Sequence, residues 1–234
     1  MLASRVRRVV QYLAPQVAYI AIVSVIISAV ALLVIGCAIL LSEINKPSPI
    51  RPWVYGQADS RWTINEFADL ECPYCKAYTP RLKRWVDNQL DVNLVWRHLP
   101  RQTNDEDAQY PARLAECAGI QGGTQAFWST IDAIFTQPTG NDRGLPAGAL
   151  MPPGLDLLQL EKCARDNELV ALLIERDLAT AQSQVIRVTP TLVIQDNQTG
   201  RSVKLEGMAD ESILLSAIDW LAQGVSRSSK PDNK

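Results

Sequence analysis

The sequence predicts an α/β domain that carries a helical insertion and is preceded by a single transmembrane helix. Two observations predict this fold class. A strand pattern that ends before Cys72 and a second strand pattern over Val92 to Leu99 flank a stretch of helical periodicity, which is the order of a βαβ unit. Near the N-terminus, Val17 to Leu41 contains no charged residue and is long enough to cross the hydrocarbon core as a helix.

The N-terminal segment is predicted to be a membrane anchor over residues 17–41. Residues 1–16 contain arginines and no acidic residue, so the positive-inside tendency places them in the cytoplasm. We therefore expect a single-pass protein of the inner (cytoplasmic) membrane, with its domain in the periplasm or at the cell exterior. A cleaved signal peptide is one alternative, although its apolar core is usually shorter. A lipoprotein is another, because the four residues that end at Cys37 resemble a lipobox.

Three further segments complete the predicted organisation. Residues 42–60 are rich in proline and polar residues, which predicts a semi-extended periplasmic linker. Residues 61–224 are predicted to form one folded domain that ends in a helix. Residues 225–234 are polar and are predicted to be a disordered tail.

Inside the domain, the pattern changes twice. From about residue 104 to residue 184 the apolar positions recur at helical spacing, which predicts a helical insertion. Two strand patterns follow, over Thr191 to Ile194 and Ser202 to Glu206, with a turn signal between them. These two strands are predicted to pair as a hairpin.

Cys72-Pro73-Tyr74-Cys75 is the candidate active-site motif, at the point where a strand pattern ends and a helical pattern begins. Two cysteines separated by two residues at a helix start can close a disulfide within one turn. Unpaired backbone N–H groups and the helix dipole stabilise the thiolate of the first cysteine. Cys72 is thus the expected nucleophile and Cys75 the resolving thiol. Pro73 suits an early helical position because no N–H has to be satisfied there.

The motif alone leaves two other interpretations open. An inert structural disulfide is one of them. A zinc site is the other, but it needs a second pair of ligands, and the sequence offers one histidine, His98, and two isolated cysteines. We therefore expect no metal. In an oxidising compartment, Cys117 and Cys163 are expected to form a second, structural disulfide, with two buried thiols as the alternative.

The segment from Glu66 to Cys75 resembles the active-site segment of the DsbA-like and DsbG-like thioredoxin-fold proteins. The segment from Val188 to Thr191 is similar to their second signature, a cis-proline loop that lies against the active-site disulfide. Both signatures occur in the family's order with a helical insertion between them, as in DsbA. The resemblance covers about residues 55–224 and implies a thioredoxin-like fold.

The resemblance also implies roles for individual residues. Pro190 would be the cis-proline, and the backbone of Thr189 would pair with an extended segment of a bound protein. Glu66 would be the acid beneath the active site that relays the proton of Cys75. A carboxyl group on a buried strand is expected to have a raised pKa, which suits proton transfer near neutral pH.

The implied activity is that of a periplasmic protein dithiol–disulfide oxidoreductase, which forms disulfides in exported proteins that contain cysteines and needs no cofactor. A DsbB-like or DsbD-like membrane protein would be its redox partner. Tyr74 stands where strong DsbA-type oxidases often have histidine, which predicts a milder potential. A DsbG-like reductase or isomerase, or a non-catalytic thioredoxin-fold chaperone, is therefore kept as an alternative. The net charge of −2 gives no reason to expect nucleic-acid binding.

Overall fold

A computed structural model of the chain describes residues 28, 30–32, 36, 52–101, 106–136 and 154–228. The chain divides into two units, residues 1–51 and residues 52–234. In the first unit the described residues are helical. Within the described ranges, no helix is both long enough and apolar enough to cross a membrane. The predicted anchor over residues 17–41 lies almost entirely outside those ranges, and the predicted cytoplasmic segment over residues 1–16 lies wholly outside them.

The second unit is built on a mixed sheet, to which the described residues contribute five strands. The strands are β1 (Val54–Gly56), β2 (Trp62–Ala68), β3 (Val92–His98), β4 (Thr191–Asp196) and β5 (Ser202–Glu206). Their order is β1-β3-β2-β4-β5, with β2 and β3 parallel and the other neighbours antiparallel. The C-terminal ends of β2 and β3 and the start of β4 therefore lie at the same end of the sheet.

Helices connect and cover this sheet. The α-helices in the described part of the second unit are α1 (Pro73–Asp87), α2 (Tyr110–Thr136, kinked at Gly123), α3 (Leu157–Asp166), α4 (Glu168–Ser183) and α5 (Glu211–Ser228). The crossover from β2 to its parallel neighbour β3 runs through α1, as the sequence predicts. Helices α2 to α4 lie between β3 and β4 along the chain, so the predicted helical insertion is confirmed.

The central strand β2 places an acidic residue in the core. Successive side chains of a strand point to opposite faces, so Ile64, Glu66 and Ala68 share one face of β2. Ile64 and Ala68 belong to the main apolar cluster of the domain. Phe67 points to the other face and packs in a smaller cluster with Ala181 of α4. Glu66 is therefore buried on the face of the sheet that carries the main apolar cluster.

The predicted linker over residues 42–60 needs a correction, because Val54–Gly56 form the edge strand β1 against β3. The prolines of this segment indicate a spacer, but its aromatic residues pack onto the insertion. Trp53 stacks on Phe127 with ring centroids 5.9 Å apart. The conformation of residues 52–56 depends on packing against residues far along the chain, which local composition cannot predict.

The C-terminal boundary also differs from the prediction. Helix α5 continues to Ser228, which is inside the segment over residues 225–234 that is predicted to be disordered. The first proline after the start of α5 is Pro231, so no proline ends the helix earlier. The rest of that segment, residues 229–234, lies outside the described residues.

Candidate active site

The two cysteines of the motif lie at the start of α1. Helix α1 begins at Pro73, and Cys72 is its N-cap residue with an extended backbone. The Lys76 N–H donates to the Cys72 carbonyl at 3.0 Å, which is the first helical bond. Both cysteines are free thiols, and Cys72 is half-buried whereas Cys75 is fully buried. One thiol is thus open to attack and the other is sheltered behind it.

A loop before β4 lies directly against the outer thiol. The Cys72 thiol donates to the carbonyl oxygen of Thr189, with the sulfur 3.6 Å from the oxygen. The peptide bond between Thr189 and Pro190 is cis. The hydroxyl of Thr191, the first residue of β4, donates to the Val188 carbonyl at 2.7 Å and closes the loop. The two segments singled out in the sequence are therefore in contact.

Exposed apolar side chains lie near the reactive thiol. Tyr74 at the start of α1, Val188 in the loop and Met208 after β5 are 62%, 48% and 49% exposed. The Gly207 N–H donates to the Pro190 carbonyl at 2.9 Å, so the backbone just before Met208 lies beside the cis-proline. No sequence pattern predicts a role for Met208, because its position depends on the pairing of β4 with β5.

The inner thiol is held in its protonated form. Burial raises the pKa of Cys75 far above its ordinary value, and a hydrogen bond with the Asp69 backbone opposes this only in part. The charges of Cys72 and Glu66 raise this pKa further. Cys75 can act as a nucleophile only when a neighbouring group removes its proton.

Glu66 is the buried acid that the sequence points to. It is fully buried, and the Thr79 hydroxyl donates to its Oε1 at 2.7 Å. Its Oε2 has no hydrogen-bond partner among the described residues. Burial raises the pKa of Glu66 to about 8, while the Thr79 hydrogen bond and the charge of Lys83 act in the opposite direction. A carboxyl group with this pKa can both give and take a proton near neutral pH.

Asp69 braces the turn that leads into the motif, and sequence reasoning missed it. It is 3% exposed, and its Oδ1 accepts from the Glu71 N–H at 2.9 Å. Its Oδ2 lies 3.7 Å from Nε of Arg101, in the segment after β3. The Asp69 carbonyl accepts from the Cys72 N–H at 3.1 Å. Asp69 therefore fixes the backbone on which the outer cysteine is mounted.

The contacts of His98 are structural, because they connect β3 to the helical insertion. Its Nδ1 accepts from the Trp96 indole N–H at 3.0 Å, so the neutral ring carries its proton on Nε2. Nε2 lies 3.2 Å from Oε1 of Glu116 on α2, and Glu116 also accepts from the Trp53 indole at 2.8 Å. These contacts join β3 to the insertion. No cluster of side chains in the described ranges has the composition of a metal site.

Cys117 and Cys163 are bonded to each other and join α2 to α3. Both pack in the apolar cluster of the insertion, which is separate from the cluster that contains Cys75. This disulfide is therefore distinct from the candidate active site.

Residues 49–211 match the model of the thioredoxin family, and the chain belongs to that family. Among solved structures, it is similar to DsbA2 of Pseudomonas aeruginosa at 66% identity and a TM-score of 0.71, over 76% of this chain and 98% of that one. It is also similar to a thioredoxin-like oxidoreductase from Silicibacter pomeroyi DSS-3 at 27% identity and a TM-score of 0.58, over 73% and 91% of the two chains. The predicted thioredoxin-like fold is thereby confirmed.

The curated relatives include much longer proteins. The chain is 29% identical over 161 residues to Na(+)/H(+) antiporter NhaA 1 of Salinispora arenicola, which is 69% of this chain and 24% of the antiporter. It is 30% identical over 177 residues to the antiporter NhaA of Herminiimonas arsenicoxydans, which is 73% of this chain and 26% of that protein. The chain thus spans about a quarter of the length of these relatives.

Proposed function

We propose that the protein is a DsbA-like protein dithiol–disulfide oxidoreductase that forms disulfides in exported proteins. The observation that carries this proposal is the half-buried Cys72 thiol against the Thr189 carbonyl, with the sheltered Cys75 one helical turn behind it. The 66% identity to Pseudomonas aeruginosa DsbA2 supports the same activity.

The proposed reaction starts from the closed Cys72–Cys75 disulfide. A thiolate of the substrate protein attacks the Cys72 sulfur, so a mixed disulfide forms and the bond to Cys75 breaks. Cys75 leaves as a thiolate and takes a proton from Glu66. A second substrate thiolate then attacks the substrate sulfur of the mixed disulfide, and Cys72 leaves as a thiolate. The substrate loses two electrons and the enzyme gains them.

Substrate binding follows from the surface around Cys72. We assign the backbone of Thr189 and the cis-proline Pro190 to pairing with an extended segment of the substrate, because this loop lies against the reactive sulfur. The exposed Tyr74 and Met208 add apolar surface beside it. An incompletely folded chain presents both an extended backbone and apolar side chains.

The proposed setting is the outer side of the inner membrane. The uncharged run over residues 17–41 supports a single-pass anchor, with the domain in the periplasm. A DsbB-like membrane protein would accept the electrons and close the Cys72–Cys75 disulfide again. In the reductase direction a DsbD-like protein would supply electrons instead.

The reductase or isomerase direction is the second candidate, and Tyr74 is the observation that favours it. The side chain next to Cys72 carries no positive charge that would stabilise its thiolate, and this makes the disulfide less oxidising. Both directions use the same residues, so the potential distinguishes them.

The full-length protein equilibrated with defined ratios of reduced and oxidised glutathione tests the proposal. An oxidase is expected to have a potential well above that of thioredoxin, which is about −270 mV. A potential at or below that value contradicts the oxidase direction. A Cys72→Ser, Cys75→Ser double variant that suppresses aggregation as well as the native protein, combined with no thiol exchange in the native protein, would indicate a chaperone instead.

A further inference from the structure

A row of buried polar groups runs along α1 beneath the active site. Cys75, Thr79 and Lys83 follow one another at intervals of four residues, so they lie on one face of the helix. Their exposed fractions are 0%, 0% and 9%. The Lys83 side chain is largely covered while its partner Asp132 is half exposed, so the partners of the ammonium group need to be identified.

The compensation comes from the insertion helix α2 and from β1. Nζ of Lys83 donates to both carboxylate oxygens of Asp132, at 2.8 Å and 2.6 Å. The same Nζ lies 4.8 Å from the ring centre of Tyr55 and 5.5 Å from that of Trp128. These contacts hold the Lys83 side chain against α2 and β1.

That positive charge acts on Glu66. Burial raises the pKa of Glu66, the Thr79 hydrogen bond opposes this most, and Lys83 is the charged group that also opposes it. The other titratable groups that interact with Glu66, Cys75 and Tyr78, are also on α1.

The neighbouring strands place no charged side chain directly opposite Glu66. Its register partners are Trp96 of β3 and Leu192 of β4, and neither side chain titrates. His98 follows Trp96 on the same face of β3 and lies 3.2 Å from Glu116 of α2. Lys83 on α1 is therefore the positively charged group that acts on Glu66.

We propose that Lys83 is a positioning residue that controls proton exchange between Glu66 and Cys75, and that Asp132 of the insertion holds Lys83 in place for this role. The inference rests on the proposed function, since it concerns the proton that the reaction moves. The competing explanation is a salt bridge that only ties α1 to α2.

Titration of Glu66 in the full-length oxidised protein tests the proposal. The carboxyl carbon of Glu66 is followed by NMR and assigned by its loss in Glu66→Gln. In Lys83→Met, the midpoint is expected to rise by about one pH unit, because the carboxylate loses a nearby positive charge. Lys83→Arg keeps the charge and is expected to restore most of the native midpoint. The control Lys162→Met removes an exposed lysine of α3 and is expected to leave the midpoint unchanged.

Asp132→Asn gives an independent measurement with a milder change. The amide oxygen can still accept from Lys83 while the negative charge is removed, so the Glu66 midpoint is expected to fall. This variant is the test that remains if Lys83→Met does not fold, and an unchanged midpoint then overturns the proposal. A raised midpoint would show that Lys83 leaves its place without the Asp132 charge, which supports the proposal.

The pH profile of the reaction supplies the functional readout. A mixed disulfide of Cys72 with glutathione is prepared, and its resolution by Cys75 is timed across pH. The pH at which the rate is half-maximal is expected to be higher in Lys83→Met than in the native protein. Adding Lys83→Met to the Glu66→Gln variant is expected to leave that variant's pH profile unchanged. A lower melting temperature with an unmoved midpoint and profile would show that the pair is only structural. The Glu66 titration needs no activity, so its failure is distinguishable from a failure of the glutathione equilibrium.

Discussion

The hydroxyl of Thr79 donates a hydrogen bond of 2.7 Å to the carboxyl group of Glu66, and both residues are fully buried. One residue lies on α1 and the other on the central strand β2, so this bond joins the helix of the two cysteines to the sheet. It also leaves the second carboxyl oxygen of Glu66 without a partner in the described part of the chain. Glu66 is therefore held in place while keeping an oxygen for a proton.

The buried carboxyl group makes stability depend on pH. The pKa of Glu66 is raised from 4.5 to about 8 on folding, chiefly by burial. Because the folded pKa is the higher one, the contribution is fully present below about pH 4.5 and is lost as the pH rises toward 8. As the pH rises from about 4.5 to about 8, the free energy of unfolding of Glu66→Gln is expected to increase by about 4 kcal/mol relative to that of the native protein.

Urea unfolding of both proteins across pH measures this difference. The Cys72–Cys75 disulfide is kept closed, so that neither thiol titrates. Two stability curves that stay parallel from about pH 4 to about pH 9 would contradict a raised pKa, because this range contains both the unfolded and the folded pKa of Glu66.

Removal of the Thr79 hydroxyl tests the hydrogen bond itself. Thr79→Val keeps the shape of the side chain and leaves Glu66 Oε1 unsatisfied, so it is expected to cost about 2 kcal/mol. The Glu66 pKa should also rise, because the hydrogen bond lowers it in the native protein. Thr79→Ser retains the donor and serves as the matched control. Urea midpoints for the three proteins decide the case, and equal midpoints for Val and Ser would exclude the bond as a source of stability.

The sequence predicts the parts of the fold that depend on local patterns. The alternation before Cys72 and the helical spacing after it are properties of adjacent residues, and β2 and α1 form where they predict. The strand β1 does not follow from such a pattern. Its neighbour Trp53 is fixed by Phe127 and by Glu116, which lie far along the chain.

The candidate site shows the same division. Cys72 stands out because the motif is contiguous in sequence, and Glu66 stands out because the segment that contains both residues resembles the family's active-site segment. Met208 and Lys83 do not stand out. Met208 follows Gly207, whose bond to Pro190 depends on the β4–β5 hairpin, and Lys83 reaches Asp132 through helix packing. Asp69 could have been noticed as an acidic residue at the end of a buried strand, but its contact with the segment after β3 required the structure.

The two thiols are expected to differ in their reaction with iodoacetamide. Cys72 is half-buried, whereas Cys75 is fully buried and its pKa is strongly raised by burial. In the reduced native protein at neutral pH, Cys72 should be modified at least about tenfold faster than Cys75. Mass spectrometry of the digested protein measures both rates. The same protein unfolded in guanidinium should lose the difference, and comparable rates in the native state would contradict the sheltered position of Cys75.

The disulfide of the insertion is expected to support stability without affecting the redox site. Cys117 and Cys163 are separated by 46 positions, and a cross-link that closes such a loop restricts the unfolded chain. Replacing both by alanine is expected to lower the unfolding free energy by about 3 kcal/mol. Because Cys75 packs in a different cluster, the glutathione equilibrium of the Cys72–Cys75 pair should be unchanged. Urea unfolding and the glutathione equilibrium are measured on the same double variant. An unchanged urea midpoint would show that the bond does not stabilise the domain, and a changed equilibrium would show that the insertion and the active site are coupled through it.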